Sequence, residues 1–377
     1  MPLTVVQLLP ALEVGGVERG CVEVAGALVR AGHRAIVVSA GGRLVNELRR
    51  AGAEHVELPI GAKRVSTLRH VRALRELLRM NAADIVHARS RLPAWIGWYA
   101  LRGLPADARP AFVTTVHGPY TVNPYSAIMT RGERVIAISE FIRDYVHEHY
   151  RRVPRERVIV IHRGIDHDRY AHGYIPPSDW LLRWRTEMQV DDRFIVTLPA
   201  RLTRWKGQQD FIEVIARLKA RGVPVLGLMV GGAEPRREGF RQELEKRIAR
   251  GGLRNDLRLL GDRRDLREIL AVSDAAVSLT HEPEAFGRTT LEALTLGTPV
   301  IGYAHGATVE ILRAIYPEGL CPAGDIGAAV ELLAGLHAER QRVPAHNAFK
   351  LERMLAQTLE VYAAVAAERA GDIRRAG

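Results

Sequence analysis

Short apolar runs alternate with amphipathic segments of helical period along nearly the whole chain, and the pattern starts twice. In the first half the apolar runs are "TVVQLLP", "HRAIVVSAGG", "HVELPI", "ADIVHARS", "AFVTTVHG", "RVIAISE" and "RVIVIHRGID", with helical patterns such as "VERGCVEVAGALVRAG" between them. Short runs of Val, Ile and Leu bounded by turn residues fit strands buried on both faces. Strands alternating with helices build a parallel sheet covered on each side. After "YIPPSDWLLRWRTEMQVDD" the pattern restarts with "RFIVTLPA", "VLGLMVGG", "LRLLG", "AAVSLT" and "PVIGY". Helices are expected between them near 207–221, 236–250 and 264–271. The chain has 377 residues, too many for one ordinary core. The prediction is therefore an α/β protein of two doubly wound domains, 1–172 and 173–346. A last helix from 347 onward has no strand after it and is expected to cross back to the first domain.

Several classes are excluded early. No apolar run is long enough for a membrane-spanning helix. The opening "MPLTVVQLLP" has no basic start and no small-residue cleavage site, and fits a buried strand better than a signal peptide. Cys21 and Cys321 lie far apart and match no disulfide or metal framework, which suits a reducing cytoplasm. The net charge of +11 is uneven: residues 1–175 hold 25 Lys and Arg against 16 Asp and Glu. Much of that excess sits in "KRVSTLRHVRALRELLRM" (63–80), read as a basic amphipathic helix. Such a helix suits an anionic surface, or is simply a solvated arginine-rich face.

In open α/β sheets ligands bind at the carboxyl ends of the strands, and four loops there carry unusual residues. "VGGVERG" follows the first strand. Its adjacent Gly15 and Gly16 let backbone approach a ligand ahead of a helix N-terminus, or make a plain tight turn. It is not the G-x-G-x-x-G fingerprint, which disfavours a nicotinamide dehydrogenase. "TTVHGPY" sets His117 at a strand end beside a glycine, either as a ligand contact or as a structural histidine. "PARLTRWKGQQDF" places Arg201 and Lys206 ahead of a helix, where two cations can hold a diphosphate or merely face solvent.

The fourth loop, "EPEAFGRTTLEA", has Glu284 and Glu292 with seven residues between them. With a helix starting near Gly287, its first amides and positive dipole end suit a phosphate, and Thr289 and Thr290 add hydroxyls. Glu292, deeper in that helix, then suits a ribose diol, while Glu284 faces a sugar attached to the phosphates. Helix capping by acids explains Glu284 but not the cations at 201 and 206.

Together "RLTRWKG", "EPEAFGRTTLEA", "GTPVIGYAHGATVE", "LEVGGVERG", "GHRAIVVS", "TTVHG", "VIAIS" and "IHRGID" resemble glycosyltransferase family 4, across nearly the whole chain. The resemblance implies the GT-B fold, two Rossmann-like domains facing a central cleft, the first for the acceptor and the second for the nucleotide sugar. It implies transfer from a nucleotide-diphosphate sugar to a hydroxyl with retention, no metal and no other cofactor. By that resemblance Arg201 and Lys206 grip the diphosphate, Glu284 holds sugar hydroxyls and Glu292 the ribose. The amides around Phe286, Gly287, Arg288 and Thr289 complete the cradle. Gly15 and Gly16 close over the donor, His117 meets the sugar near the reacting carbon, and Gly261, Asp262 and Arg263 lie where the base is read. The chain departs from the family pattern at Arg163, where asparagine is usual.

The bacterial enzymes it most resembles assemble lipopolysaccharide core or surface polysaccharide. The expected partners are thus a nucleotide sugar and a glycan or lipid-linked acceptor. A peripheral site at the anionic inner face of the cytoplasmic membrane is also expected. The donor base (uracil or guanine) and sugar stay open. A nucleotide-sugar 2-epimerase of the same fold is the rival within enzymes. A nucleic-acid module is the rival outside them, disfavoured because the basic helix lacks stacking aromatics.

Overall fold

The structure, a computed structural model, describes residues 2–13, 15–190, 192–232 and 238–376, with side chains through residue 369. The chain divides into two compact units: Met1–Gly164 with Leu351–Gly377, and Ile165–Lys350.

In the first unit, strands β1 (Thr4–Leu8), β2 (Arg34–Ser39), β3 (Glu54–Glu57), β4 (Ile85–Ala88), β5 (Ala111–Val116), β6 (Arg134–Ala137) and β7 (Val158–Val160) form a parallel sheet ordered β3-β2-β1-β4-β5-β6-β7. Helices α1 (Gly16–Arg30), α2 (Val45–Arg50), α3 (His70–Met80), α4 (Arg91–Arg102) and α5 (Glu140–His149) connect them. Every residue of β4 and β5 is buried, as a parallel sheet with both faces covered requires.

In the second unit, α6 (Ser178–Met188) precedes β8 (Phe194–Pro199), α7 (Gln208–Ala220), β9 (Val225–Val230), α8 (Glu238–Arg250), β10 (Leu257–Gly261), α9 (Leu266–Val272) and β11 (Ala275–Ser278). Then come α10 (Arg288–Leu296), β12 (Val300–Tyr303), α11 (Thr308–Ile315), β13 (Leu320–Cys321) and α12 (Ile326–Ala338). The six strands run parallel in the order β10-β9-β8-β11-β12-β13. The two-residue period of a strand divides β9 between two cores. Val225 and Met229 join Phe194, Phe211 and Leu244, while Leu226, Leu228 and Val230 join Trp184, Met188 and Ile269. Two parallel α/β units of this kind are the architecture expected from the alternating pattern. Residues 236 and 237, expected to begin α8, lie outside the described residues.

The last helix, α13 (Leu351–Ala376), belongs to the first unit. Met354, Leu355, Val361, Tyr362 and Val365 recur at helical spacing and share a core with Val5, Cys21, Val24 and Val113. The Tyr362 hydroxyl lies 2.5 Å from His87 Nδ1, and His87 Nε2 lies 2.7 Å from Thr115 Oγ1.

Two local expectations are refined. The basic stretch 63–80 is not one helix: Val65–Arg69 form a 3-10 turn before α3 begins at His70. The Thr67 hydroxyl donates to the Ala62 carbonyl at 2.6 Å, a local bond that competes with helical pairing. Leu74 and Leu78 are buried, whereas Val65, Leu68 and Met80 are exposed. In α4, Ile96 and Ala100 are buried while Trp95 stacks on the exposed Tyr99, so one helix serves both core and surface.

Candidate functional site

Where strand order reverses, the loops on either side diverge and leave a crevice at the carboxyl ends. In the second unit that reversal falls between β8 and β11. The loop leaving β8 carries Arg201 and Lys206; the loop leaving β11 carries Glu284. Lys206 Nζ and Glu284 Oε1 form an ion pair across the reversal, with side chains 21% and 23% exposed.

Backbone bonds fix the two loops together. The Trp205 carbonyl accepts from His281 N at 2.7 Å and from the Thr280 hydroxyl at 2.9 Å. Gly207 closes the β8 loop at φ 76°, and a Cβ there would lie 2.6 Å from the Leu279 carbonyl carbon. Only glycine fits both the backbone angle and the space. On the far side, Ala307 N donates to the Glu284 carbonyl at 2.8 Å. Asp210 braces the base of the site, accepting from the Tyr303 hydroxyl at 2.6 Å and lying 3.1 Å from His281 Nε2.

Gly287, at φ 89°, is the residue before α10, and no side chain caps that helix. Its N-terminus therefore presents amides and the positive dipole end at the site. Thr290 is buried and Thr289 half-buried, while Phe286 is 4% exposed and packs edge-on against Phe349. Arg201 is exposed at the mouth of the β8 loop, its carbonyl accepting from Gln208 Nε2 at 2.9 Å.

Glu292 is only 7% exposed. Its carboxylate accepts from Arg288 Nε at 3.1 Å and from the Tyr170 hydroxyl. Burial raises its pKa above the ordinary carboxylate value, against the opposing pull of Arg288, Tyr170 and Arg169. Burial first, and Glu292 next, push the Tyr170 phenol up to about 12. Arg288 and Tyr170 thus already occupy part of the carboxylate's accepting capacity.

The loop after β10 is built differently. Asp262 Oδ1 accepts from Gly232 N at 2.8 Å, locking the neighbouring loop. Arg263 is held by both oxygens of Asp265 (2.9 and 2.8 Å) and lies 3.3 Å from Glu187, over the Trp184 ring. Gly261 ends an edge strand at φ 65°, two strands from the reversal. Among the described residues nothing links Asp262 or Arg263 to Lys206 or Glu284, and both side chains have structural partners.

In the first unit the reversal lies between β1 and β4. Gly15 and Gly16 follow β1 and open α1; Gly15 is extended, and no side-chain bond caps the helix. Val14 lies outside the described residues. His117 follows β5, and its Nδ1 lies 3.0 Å from Arg163 Nη2. His117 Nε2 is buried and lacks a hydrogen-bond partner among the described residues. Burial, with Arg163, Arg89 and His87 nearby, holds the imidazole well below its ordinary pKa. Arg89, 3% exposed, donates Nε to Gln7 Oε1 at 2.7 Å, and its Nη2 is a buried donor without a partner.

Sequence reading missed Tyr170, Asp210 and Arg89. Tyr170 and Asp210 acquire their roles from partners far along the chain, so no local spacing marks them. Arg89 was legible only as a polar residue just past a strand's carboxyl end. Among the described residues no group of three His, Cys, Asp or Glu side chains is placed to hold a metal, and no helix is long and apolar enough to cross a membrane.

Comparison with known proteins agrees with this arrangement. The family model Glycosyltransferase Family 4 matches residues 14–169, and Glycosyl transferases group 1 matches residues 182–350. N-acetyl-alpha-D-glucosaminyl L-malate synthase of Bacillus anthracis is 24% identical over 76% of each chain. Lipopolysaccharide core biosynthesis mannosyltransferase LpsB of Rhizobium meliloti is 29% identical, over 52% of this chain and 54% of that protein. Among solved structures, a glycosyltransferase of Rickettsia africae superposes with a TM-score of 0.80 at 28% identity, covering 97% of this chain and 98% of that one. Anabaena Alr3699/HepE, solved with UDP and glucose, gives 0.78 at 20% identity over 96% and 99% of the two chains, a likeness of fold alone. The mannosyltransferase and glycosyltransferase names among these relatives do not favour the epimerase alternative. With both halves matched and both sheets ordered as described, the chain belongs to the family 4-like glycosyltransferases of the GT-B fold.

Proposed function

We propose that the enzyme moves a hexose from a UDP- or GDP-sugar to a hydroxyl of a glycan or lipid-linked acceptor, with retention and without a metal, in lipopolysaccharide-core or surface-polysaccharide synthesis. The observation that carries this is the Lys206–Glu284 pair at the strand-order reversal, beside the uncapped end of α10. A diphosphate entering there replaces Glu284 as the partner of Lys206. It also gains Arg201 and the amides of residues 287–289, while Glu284 is released to the sugar hydroxyls. UDP and glucose in the Anabaena structure, and the mannosyltransferase name of the Rhizobium relative, support a nucleotide-sugar donor.

In the reaction the bond between the anomeric carbon and the phosphate oxygen breaks and the acceptor oxygen bonds to that carbon. The acceptor proton passes to a phosphate oxygen on the same face. Fixed cations and amides stabilise the departing charge without reorganising. His117 contacts the sugar near the reacting carbon, Gly15 and Gly16 cover the donor, and Glu292 takes the ribose. Exposed Val65, Leu68 and Met80 among the basic side chains of 63–80 fit peripheral attachment to an anionic membrane.

A thermal-shift series with UDP, GDP, ADP and their sugars tests this, because a ligand bound only to the folded state raises Tm. One nucleotide sugar should stabilise the protein, and its nucleotide should be released faster with acceptor present. Acceptor-independent conversion of the sugar, with no transfer, would identify an epimerase instead.

A further inference from the structure

We propose that Arg163 is a positioning residue that fixes His117 as the neutral tautomer carrying its proton on Nε2, and that Gly20 of α1 is the seat that lets it do so. Arg163 Nη2 lies 3.0 Å from His117 Nδ1. A guanidinium has only donors, so Nδ1 must accept and the ring proton must sit on Nε2. That Nε2 is the buried atom without a partner. It is therefore a donor held ready for an oxygen lone pair, and it cannot act as a general base.

The third glycine of "GGVERG" explains how the guanidinium gets there. Gly20 lies within α1 and is buried. A Cβ at Gly20 would fall 3.1 Å from Arg163 Cζ and closer still to Nη1. The guanidinium thus lies across the bare backbone of the helix. Glycine inside a helix is destabilising relative to alanine, and here the missing side chain leaves room for the guanidinium that orients His117.

The groups facing His117 act in one direction. Arg163 comes from the loop after β7, Arg89 from the end of β4, and His87 from within β4; all three oppose a positive imidazole. The Tyr120 hydroxyl accepts from His117 N at 3.3 Å and stays protonated, its pKa raised by burial. No carboxylate is among the causes acting on the ring. The histidine therefore stays neutral through the acid side of neutrality, where an ordinary imidazole becomes charged.

The tautomer and its cause stand on this geometry; the role of Nε2 as donor to a sugar or phosphate oxygen rests on the transfer reaction proposed above. Nitrogen-15 NMR of histidine-labelled protein, with His117 identified by its loss in His117→Gln, separates the two. At pH 7.5 and pH 6 the wild type should show a protonated Nε2 and a bare Nδ1. Arg163→Asn and Gly20→Ala should both give a tautomer mixture. Arg163→Lys, which keeps a donor, should restore the wild-type pattern. In kinetics, Arg163→Asn should lower kcat with donor KM little changed, and Arg163→Lys should recover it. A proton on Nδ1 in the wild type, or unchanged signals in both Arg163→Asn and Gly20→Ala, overturns the proposal. The expected NMR pattern with no transfer to any acceptor overturns only the reaction assigned to the site.

Discussion

Lys206 and Glu284, 78 residues apart in sequence, meet as an ion pair across the point where the second sheet reverses its strand order. Because each side chain has a different partner in the proposed complex, their removal should have different consequences. Lys206→Ala should weaken binding of the nucleoside diphosphate and lower kcat/KM by about 10²–10³-fold, the usual effect of losing one preorganised charge donor. Glu284→Ala should abolish transfer while leaving nucleotide affinity equal or higher, since Lys206 is then unopposed. Calorimetric titration with UDP and GDP distinguishes them; equal losses of nucleotide affinity in both variants would remove the separate roles.

Glu292 offers a test through pH. Its carboxyl is raised in the folded state above the value of 4.5 by burial, so the folded protein binds that proton more tightly than the unfolded chain. The stability this contributes is full below the unfolded value and is lost as pH rises through the folded one. Glu292→Gln removes the charge but keeps the shape. Its stability relative to wild type should therefore improve in urea denaturation as pH rises above 4.5, and level off once the folded carboxyl is ionised. An unchanged gap would mean that ionisation costs nothing there, and a gap that moves the other way would mean that the fold favours the ionised carboxylate. In binding, the variant should hold the donor about fivefold more weakly, through loss of a charge-assisted bond to the ribose.

Gly207→Ala tests the backbone that holds the two loops together. The position has φ 76°, and an added methyl group meets the Leu279 carbonyl. Strain of about 1–3 kcal/mol from the backbone alone, with the overlap added, should lower Tm by several degrees and reduce nucleotide binding. A variant as stable as wild type would show that the loop can take another path.

Tyr362→Phe tests the seating of α13. The phenol is fully buried and contacts His87 Nδ1 at 2.5 Å. Its removal leaves a buried histidine nitrogen without that partner, at a cost of about 1–3 kcal/mol. Chemical denaturation followed by circular dichroism should show that loss, with little change in nucleotide binding by the second unit. No loss would mean that the histidine finds another partner, Thr115 being already engaged at Nε2.

The alternation of apolar runs and helical patterns determined, without coordinates, two parallel sheets clad in helices, because strands buried on both faces cannot alternate polar and apolar residues. The residue types in "RLTRWKG" and "EPEAFGRTTLEA" likewise marked where cations, amides and carboxylates leave their strands. Strand order decided the rest: that β8 stands between β9 and β11 depends on crossovers that local spacing does not encode, and that order pairs Lys206 with Glu284. The same is true of Tyr170 on Glu292 and Arg163 on His117, contacts 122 and 46 residues apart in the chain. Arg263 stands at a motif position expected to meet the base, yet the fold sets Asp265 and Glu187 against its guanidinium. Local sequence specifies which groups a loop carries. Their partners, burial and protonation arise only when distant segments are packed together.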